Sequence, residues 1–272
     1  MNDRVTVTIE AGVADVRMVR GEKMNALDDA MFGALIAAGE RLKGEAGLRA
    51  VVLSGEGRAF CAGLDMGSFG RMADGSRAAQ AAEGGGLAAR VHGIANRAQY
   101  AVWVWREVPV PVIAAVHGVA FGGGFQLCLG ADMRFVTPDA RLAVLEIKWG
   151  LIPDMAGTQL MRHLVREDIV RELTYTGRVF SGEEALAMGF ATRVCADPRA
   201  EALSLARDIA GKSPDAVRAA KRLLNAAVTL DPAEGFIEET REQVALIGGS
   251  NQIEAVMANL QKRAPVFSDP AP

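Results

Sequence analysis

The sequence predicts an α/β fold with a helical C-terminal part. Three observations predict it. The opening of the chain reads strand, strand, helix, strand. An apolar run at Val112–Val116 stops at Gly122-Gly123-Gly124 and leads into a second apolar stretch, Phe125–Leu129. From about residue 198 to 264 the pattern is almost continuously that of amphipathic helix. An α/β core over residues 1–199, followed by a helical region over 200–272, is therefore expected.

Each element has a local reason. Val5–Ile9 and Val13–Val19 flank Gly12 and predict a hairpin. Asp28 can cap a helix from Asp29 to about Lys43, whose Met31, Leu35, Ile36 and Leu42 lie on one side. Ala50–Leu53 predicts a short buried strand ending at Ser54-Gly55. Residues 67–86 are rich in Gly, Ala and charge, which predicts a lid-like loop. A helix carrying Val91, Ile94, Val102 and Trp105 follows, closed by Pro109 and Pro111. Val112–Val116 is a strand of the fully buried kind, and Phe125–Leu129 a buried helix. Arg134–Val136 and Leu142–Val144 are further strands, with helices dominating from about Thr158. Ser213-Pro214 and Asp231-Pro232 are helix starts with proline in the first turn.

Composition narrows the function classes. Hydrophobic residues make up 50% and charged residues 23% of the 272, enough for a core and too apolar for a disordered chain. A formal net charge of −3 implies no general attraction to nucleic acid or to an anionic membrane. No apolar run approaches the ~20 residues of a membrane-spanning helix. Cys61, Cys128 and Cys195 are far apart and form no CxxC, so neither a disulfide framework nor a cysteine-rich zinc site is expected. With only His92, His117 and His163 as well, no metal is expected. The opening MNDRVTVTIE resembles neither a signal nor a transit peptide, so a reduced cytoplasm is the expected location.

Three segments could carry chemistry. In Phe60-Cys61-Ala62-Gly63-Leu64-Asp65 the small residues around Leu64 let a backbone N–H face a ligand, although a turn with a helix cap at Asp65 would read the same. In Phe121-Gly122-Gly123-Gly124-Phe125-Gln126 three glycines open an apolar helix, whose first N–H groups can hold an anion or an oxygen that becomes one. Tight helix–strand packing explains those glycines equally well. In Glu146 to Thr158 two carboxylates, Glu146 and Asp154, stand among Ile147, Leu151, Ile152 and Met155, with Gly150 and Pro153 turning the chain between them. Burial raises a carboxyl pKa and suits a proton shuttle. The structural alternatives are a cap or turn for Asp154 and pairing with Lys148 or an arginine for Glu146. A phosphate loop, a dinucleotide fingerprint and a serine-hydrolase elbow are all missing.

Taken together and in order, these segments resemble the crotonase (enoyl-CoA hydratase/isomerase) superfamily. Arg20-Gly21-Glu22-Lys23-Met24-Asn25-Ala26-Leu27, Pro111-Val112-Ile113-Ala114-Ala115-Val116-His117-Gly118, Thr176-Gly177, Ser181-Gly182-Glu183-Glu184-Ala185 and Lys262-Arg263-Ala264-Pro265-Val266-Phe267 extend the resemblance over nearly the whole chain. It implies a spiral of ββα units, a C-terminal helical region that builds a homotrimer or dimer of trimers, and acyl-CoA thioesters as substrates. Coenzyme A would be part of the substrate, with no separate cofactor. The backbone N–H groups of Leu64 and Gly123 would form an oxyanion hole, with Ala62, Gly63, Asp65 and Gly122 beside the substrate. The acid/base residues would be Glu146, Asp154 and Gln126.

Those last three positions discriminate within the family. Hydratases of the family place Glu at the positions of both Gln126 and Glu146. Dienoyl-CoA isomerases resemble this chain in pairing Glu at the position of Glu146 with Asp at that of Asp154, and carry Asp at that of Gln126. Simple enoyl-CoA isomerases use the one Glu. The resemblance therefore implies enoyl-CoA or dienoyl-CoA isomerisation in acyl-CoA degradation first, and 2-enoyl-CoA hydration second. Some members bind acyl-CoA without catalysis, but retention of both Glu146 and Asp154 argues against that here. The apolar faces at Leu203, Leu205 and Ile209, at Val217, Leu223 and Leu224, and at Val256 and Leu260 predict a partner subunit.

Overall fold

A computed structural model describes residues 3–73 and 86–269. Strands β1 (Val5–Glu10) and β2 (Val13–Met18) form the expected hairpin, with Val5 opposite Met18. Helix α1 (Asp29–Lys43) starts at Asp28, whose side chain accepts from Met31 N at 2.7 Å. Strand β3 (Ala50–Gly55) lies parallel to β2. Then come α2 (Met66–Ala73), α3 (Arg97–Glu107), β4 (Val112–Val116), β5 (Val119–Phe121) and α4 (Gly123–Leu129). After β6 (Met133–Val136) and β7 (Arg141–Ala143) the chain forms α5 (Gly157–Met161), α6 (Glu167–Thr176), β8 (Phe180–Ser181), α7 (Gly182–Met188) and β9 (Arg193–Val194). Four helices end it: α8 (Pro198–Ala210), α9 (Pro214–Ala226), α10 (Pro232–Leu246) and α11 (Ser250–Leu260).

The strands of the described residues form two sheets. The larger has the order β1-β2-β3-β4-β6-β9, all parallel apart from the opening hairpin. The smaller has the order β5-β7-β8 and is extended by a parallel bridge between Cys61 and Ala120. The chain thus alternates between layers, β4 to β5 to α4 and then β6 to β7 to α5, which is a spiral of ββα units. The parallel strands are apolar throughout because both faces are covered. In β4, Val112, Ala114 and Val116 join the main core, while Ile113 and Ala115 face a second cluster with Ala202 and Ala206 of α8.

Several expectations need correction. The loop expected over 67–86 begins as helix α2, and residues 74–85 lie outside the described residues. Helix α3 starts at Arg97, not near Val91, because Asn96 and Gln99 form a capping box; Val91 and Ile94 precede it and are exposed. Leu203, Leu205 and Ile209 need no partner subunit, since they pack on the second core cluster against the molecule's own sheet. The two-residue strands β8 and β9 are too short for any periodicity to reveal.

Candidate active site

The site begins with the turn after β2. Asn25 is fully buried; its Nδ2 donates to Glu56 O (3.0 Å) and Ala59 O (2.9 Å), and its Oδ1 accepts from Arg20 N (2.9 Å). This fixes the approach of Leu27 to residues 63–65. Leu27 N donates to Gly63 O at 2.8 Å and Asp65 N donates to Leu27 O at 3.1 Å. Leu64 is clamped between these two bonds, and its own N–H has no acceptor among the described residues. Arg20 completes the clamp, with Nη1 2.8 Å from Asp65 Oδ2 and 3.1 Å from Ala26 O. The expected neighbours Ala62, Gly63 and Asp65 lie here, but the Asp65 carboxylate is engaged by Arg20 and by Gly67 N (2.9 Å).

The second glycine-rich segment lies directly against the first. Gly63 has φ +87°, and a Cβ there would sit 2.5 Å from Phe121 O and 3.7 Å from Gly123 N. Only glycine permits both that backbone and that approach. The N–H of Gly123, first residue of α4, likewise has no acceptor among the described residues. The glycines serve close packing as well: a Cβ on Gly124 would run into the Cys61 carbonyl. Close packing thus accounts for Gly124, while the first N–H of the helix, at Gly123, is left without an acceptor among the described residues. Burial pushes the Cys61 and Cys128 thiols up to about 12, which leaves them inert as nucleophiles.

Glu146 opens a short 3-10 turn, Glu146–Trp149, that Gly150 ends in the left-handed region. Its carboxylate lies under Gly122, where a Cβ would be 3.2 Å from Oε1. Gln126 Nε2 donates to Oε1 at 2.6 Å. Oε2 is buried and has no hydrogen-bond partner among the described residues. Burial holds the Glu146 carboxyl above the usual glutamate range, and the charge of Asp154 adds to the rise. Glu146 forms no ion pair among the described residues; Lys148 lies over the Trp149 ring instead, 5.4 Å from its centre.

Gln126 is 1% exposed. Its Oε1 accepts from Met155 N (2.8 Å) and Gly157 N (3.0 Å), on either side of Ala156, which carries φ +66°. A left-handed alanine is unfavourable, and these two bonds hold it. Asp154 itself is exposed, within electrostatic reach of Glu146. The N-cap of α5 is Ala156, so Asp154 does not cap that helix from the N-cap position. Of the apolar neighbours expected to desolvate the carboxylates, only Met155 is buried; Ile147, Leu151 and Ile152 face outward. Glu146 is nonetheless desolvated by its own burial, and the hydrogen bond from Gln126 opposes the rise.

Two features escaped sequence reasoning. One is the Arg20–Asp65 pair, which no local pattern links across 45 residues. The other is the stack of Phe69 on Trp149, ring centres 4.2 Å apart, which ties α2 to the turn carrying Glu146. Among the described residues no group of three or more His, Cys, Asp or Glu is placed to hold a metal ion, and no helix is long and apolar enough to cross a membrane.

The chain is similar to known proteins along nearly its whole length. The family model for enoyl-CoA hydratase/isomerase matches residues 8–270. The chain is 31% identical over 263 residues to the mitochondrial Delta(3,5)-Delta(2,4)-dienoyl-CoA isomerase of Mus musculus, covering 92% of this chain and 77% of that one. It is 28% identical over 263 residues to the mitochondrial methylglutaconyl-CoA hydratase of the same organism, covering 94% and 79%. A crystal structure of an enoyl-CoA hydratase from Bacillus anthracis superposes with a TM-score of 0.86 at 28% identity, covering 97% of this chain and 98% of that one.

Proposed function

The chain belongs to the enoyl-CoA hydratase/isomerase family, and we propose that it moves a double bond within an enoyl-CoA or dienoyl-CoA thioester during acyl-CoA degradation. The carrying observation is the state of Glu146: one oxygen held by Gln126, the other buried and unpartnered. In this reading the thioester oxygen lies between the N–H groups of Leu64 and Gly123. Oε2 of Glu146 removes a proton from carbon. The C–H electrons move toward the thioester, forming an enolate that the two N–H groups stabilise. The proton then returns to a different carbon of the chain, directly from Glu146 or, for a dienoyl-CoA, from a protonated Asp154 that regains its proton from Glu146 through solvent. The double bond shifts, with no net oxidation and no water consumed.

The raised pKa of Glu146 supports this reading, because a base of higher pKa accepts a carbon-bound proton more readily. Hydration would need a water held between two groups. The Gln126 oxygen is already occupied by two backbone N–H groups, so it is poorly placed to orient one. The similarity to a methylglutaconyl-CoA hydratase keeps hydration as the second reading. The reading is of a cytoplasmic enzyme, supported by three cysteines that are all free. It is also of a homotrimer or dimer of trimers, supported by exposed Phe236, Val244 and Leu260 on α10 and α11. A spectrophotometric screen of the purified protein against 2-enoyl-, 3-enoyl- and 3,5-dienoyl-CoA tests the activity; turnover of none of the three would overturn the reading.

A further inference from the structure

A cavity of about 570 Å³ opens between α3, the end of α4, the α5 segment and the last turn of α9. Glu146 does not line it. Its volume falls in the range that holds small organic ligands. Trp103, Leu129, Leu160, Leu164 and Val228 give it an apolar wall.

Two guanidinium groups share that wall. Arg134 is 5% exposed and Arg106 is partly buried. A buried cation is ordinarily paired with a carboxylate. Among the described residues the Arg134 side chain has only carbonyl partners, Nε donating to Phe190 O at 2.6 Å and Nη1 to Ala131 O at 2.7 Å. Arg106 donates Nη2 to Asn225 Oδ1 at 2.7 Å and lies over the Trp103 ring. Neither forms an ion pair among the described residues. The one carboxylate among the residues lining the wall, Asp132, accepts from Lys221 Nζ (2.8 Å) and Val112 N (2.7 Å) on its Oδ2 and acts on both guanidinium groups only through its charge. Arg162 and His163 stand at the same cavity, and Arg162 Nε donates to His163 Nε2 at 2.9 Å. Desolvation lowers the pKa of both Arg134 and Arg106; the charge of Asp132 opposes this at both, and the charge of Arg106 adds to it at Arg134.

We propose that this cavity is a second ligand site, separate from the thioester site, for a small amphipathic anion: a medium-chain carboxylate with its head at Arg134 and Arg106 and its chain along Trp103 and Leu160. Asp132 alone faces Arg106, Arg134 and Arg162 on this wall, so the anion adds negative charge where cations are in excess, and the chain covers the apolar surface. The proposal is independent of which reaction Glu146 catalyses. Ala156 lines the cavity between the two N–H groups held by Gln126, so a bound chain would touch the turn beside the catalytic carboxylate.

The test is a calorimetric titration of the whole assembled protein with decanoate, alongside 1-decanol and acetate, with tryptophan fluorescence as the reporter of location. Saturable decanoate binding is expected, with 1-decanol and acetate each far weaker. Its fluorescence change should disappear in Trp103→Phe. Arg106→Gln should weaken binding roughly ten- to a hundredfold, the scale of a charge-assisted hydrogen bond. Arg134→Gln should do the same, but Arg134 also holds two carbonyls, so Arg106→Gln is the deciding variant. A non-reactive acyl-CoA should not displace decanoate. Displacement would put decanoate in the thioester site and overturn the proposal. Absence of saturable binding, or binding indifferent to Arg106→Gln, would overturn it too, and would leave a carboxylate from a second copy of the chain as the partner of these arginines.

Discussion

Gln126 donates to Glu146 across 2.6 Å, and it is this amide, not a second carboxylate, that holds the buried acid in place. The same amide accepts from Met155 N and Gly157 N and so fixes the turn that follows Asp154. One side chain therefore sets the relation between the two carboxylates on which the proposed reaction depends.

Removing that amide should cost both stability and rate. Gln126→Leu leaves two buried N–H groups without acceptors, at about 1–3 kcal/mol each. We expect a loss of about 2–5 kcal/mol in urea unfolding and a marked fall in kcat. Gln126→Glu keeps an oxygen for the two N–H groups but sets a second carboxyl against Glu146. The pair should then share a proton, with one apparent pKa raised, and hydration of 2-enoyl-CoA should increase if a second carboxylate is what hydration lacks. Unchanged stability and kcat in Gln126→Leu would contradict the positioning role.

Glu146→Gln should lower turnover by about 10²–10⁴, the usual scale for a positioned acid/base group, with acyl-CoA binding little changed. Burial raises this carboxyl in the folded chain. Between the ordinary glutamate pKa and the raised one, the folded chain holds a proton that the unfolded chain has lost. The group's contribution is thus fully present below the unfolded pKa and declines as pH climbs to the folded pKa. Glu146→Gln should accordingly be as stable as the native protein, or more so, at neutral pH. The acid limb of kcat/KM should lie above the ordinary glutamate range in the native enzyme. Near-native turnover of the variant on every active substrate would remove Glu146 from the mechanism.

Asp154→Asn should have two separate signatures. Dienoyl isomerisation should fall far more than any residual hydration, because only the former needs a second proton carrier. The acid limb set by Glu146 should also move to lower pH, since the Asp154 charge that raises its pKa is gone. A pH profile that stays in place would show that the two carboxylates do not communicate.

Gly123→Val places a side chain against Met155 Sδ (2.7 Å from the new Cβ) and Leu27 Cδ1 (2.9 Å). Both are ends of flexible side chains and can yield, so the protein should fold while the N–H tilts. Loss of one oxyanion donor costs roughly 3–4 kcal/mol of transition-state stabilisation. Gly63→Ala meets the Phe121 carbonyl instead, on a positive φ, and should spread the two N–H groups with a similar kinetic effect. Circular dichroism separates misfolding from inactivation. A folded, fully active Gly123→Val would exclude the oxyanion role.

Light scattering at micromolar concentration should find a trimer or hexamer. Phe236 and Ile237 are each 66% exposed on α10 and Leu260 is 74% exposed on α11, more apolar surface than an isolated chain favours. A stable monomer would contradict the assembly.

How much of this was legible in the sequence follows from where each signal is stored. The hairpin, α1 and the buried strand β4 are written locally, in alternation, in the Asp28 cap and in an apolar run. The placement of Leu64, Gly123 and Glu146 was readable through their glycine-rich or turn-rich company and the family resemblance. The partners of Gln126 were not, since its bonds to residues 146, 155 and 157 are set by how α4 seats against later turns. The same holds for Arg20 with Asp65 and for Phe69 with Trp149. The apolar sequence around Asp154 misled: Ile147, Leu151 and Ile152 face outward, and the desolvation of Glu146 comes from elsewhere.

The most direct test of the central claim is one comparison of rates on the native enzyme. Double-bond migration in 3-enoyl- and 3,5-dienoyl-CoA is followed by absorbance beside hydration of a 2-enoyl-CoA of equal chain length. A single free carboxylate oxygen at Glu146, with Asp154 as second proton carrier, predicts that kcat/KM for migration exceeds that for hydration. Faster hydration, together with an Asp154→Asn variant of unchanged activity, would contradict it and leave Glu146 as the sole essential carboxylate of a hydratase.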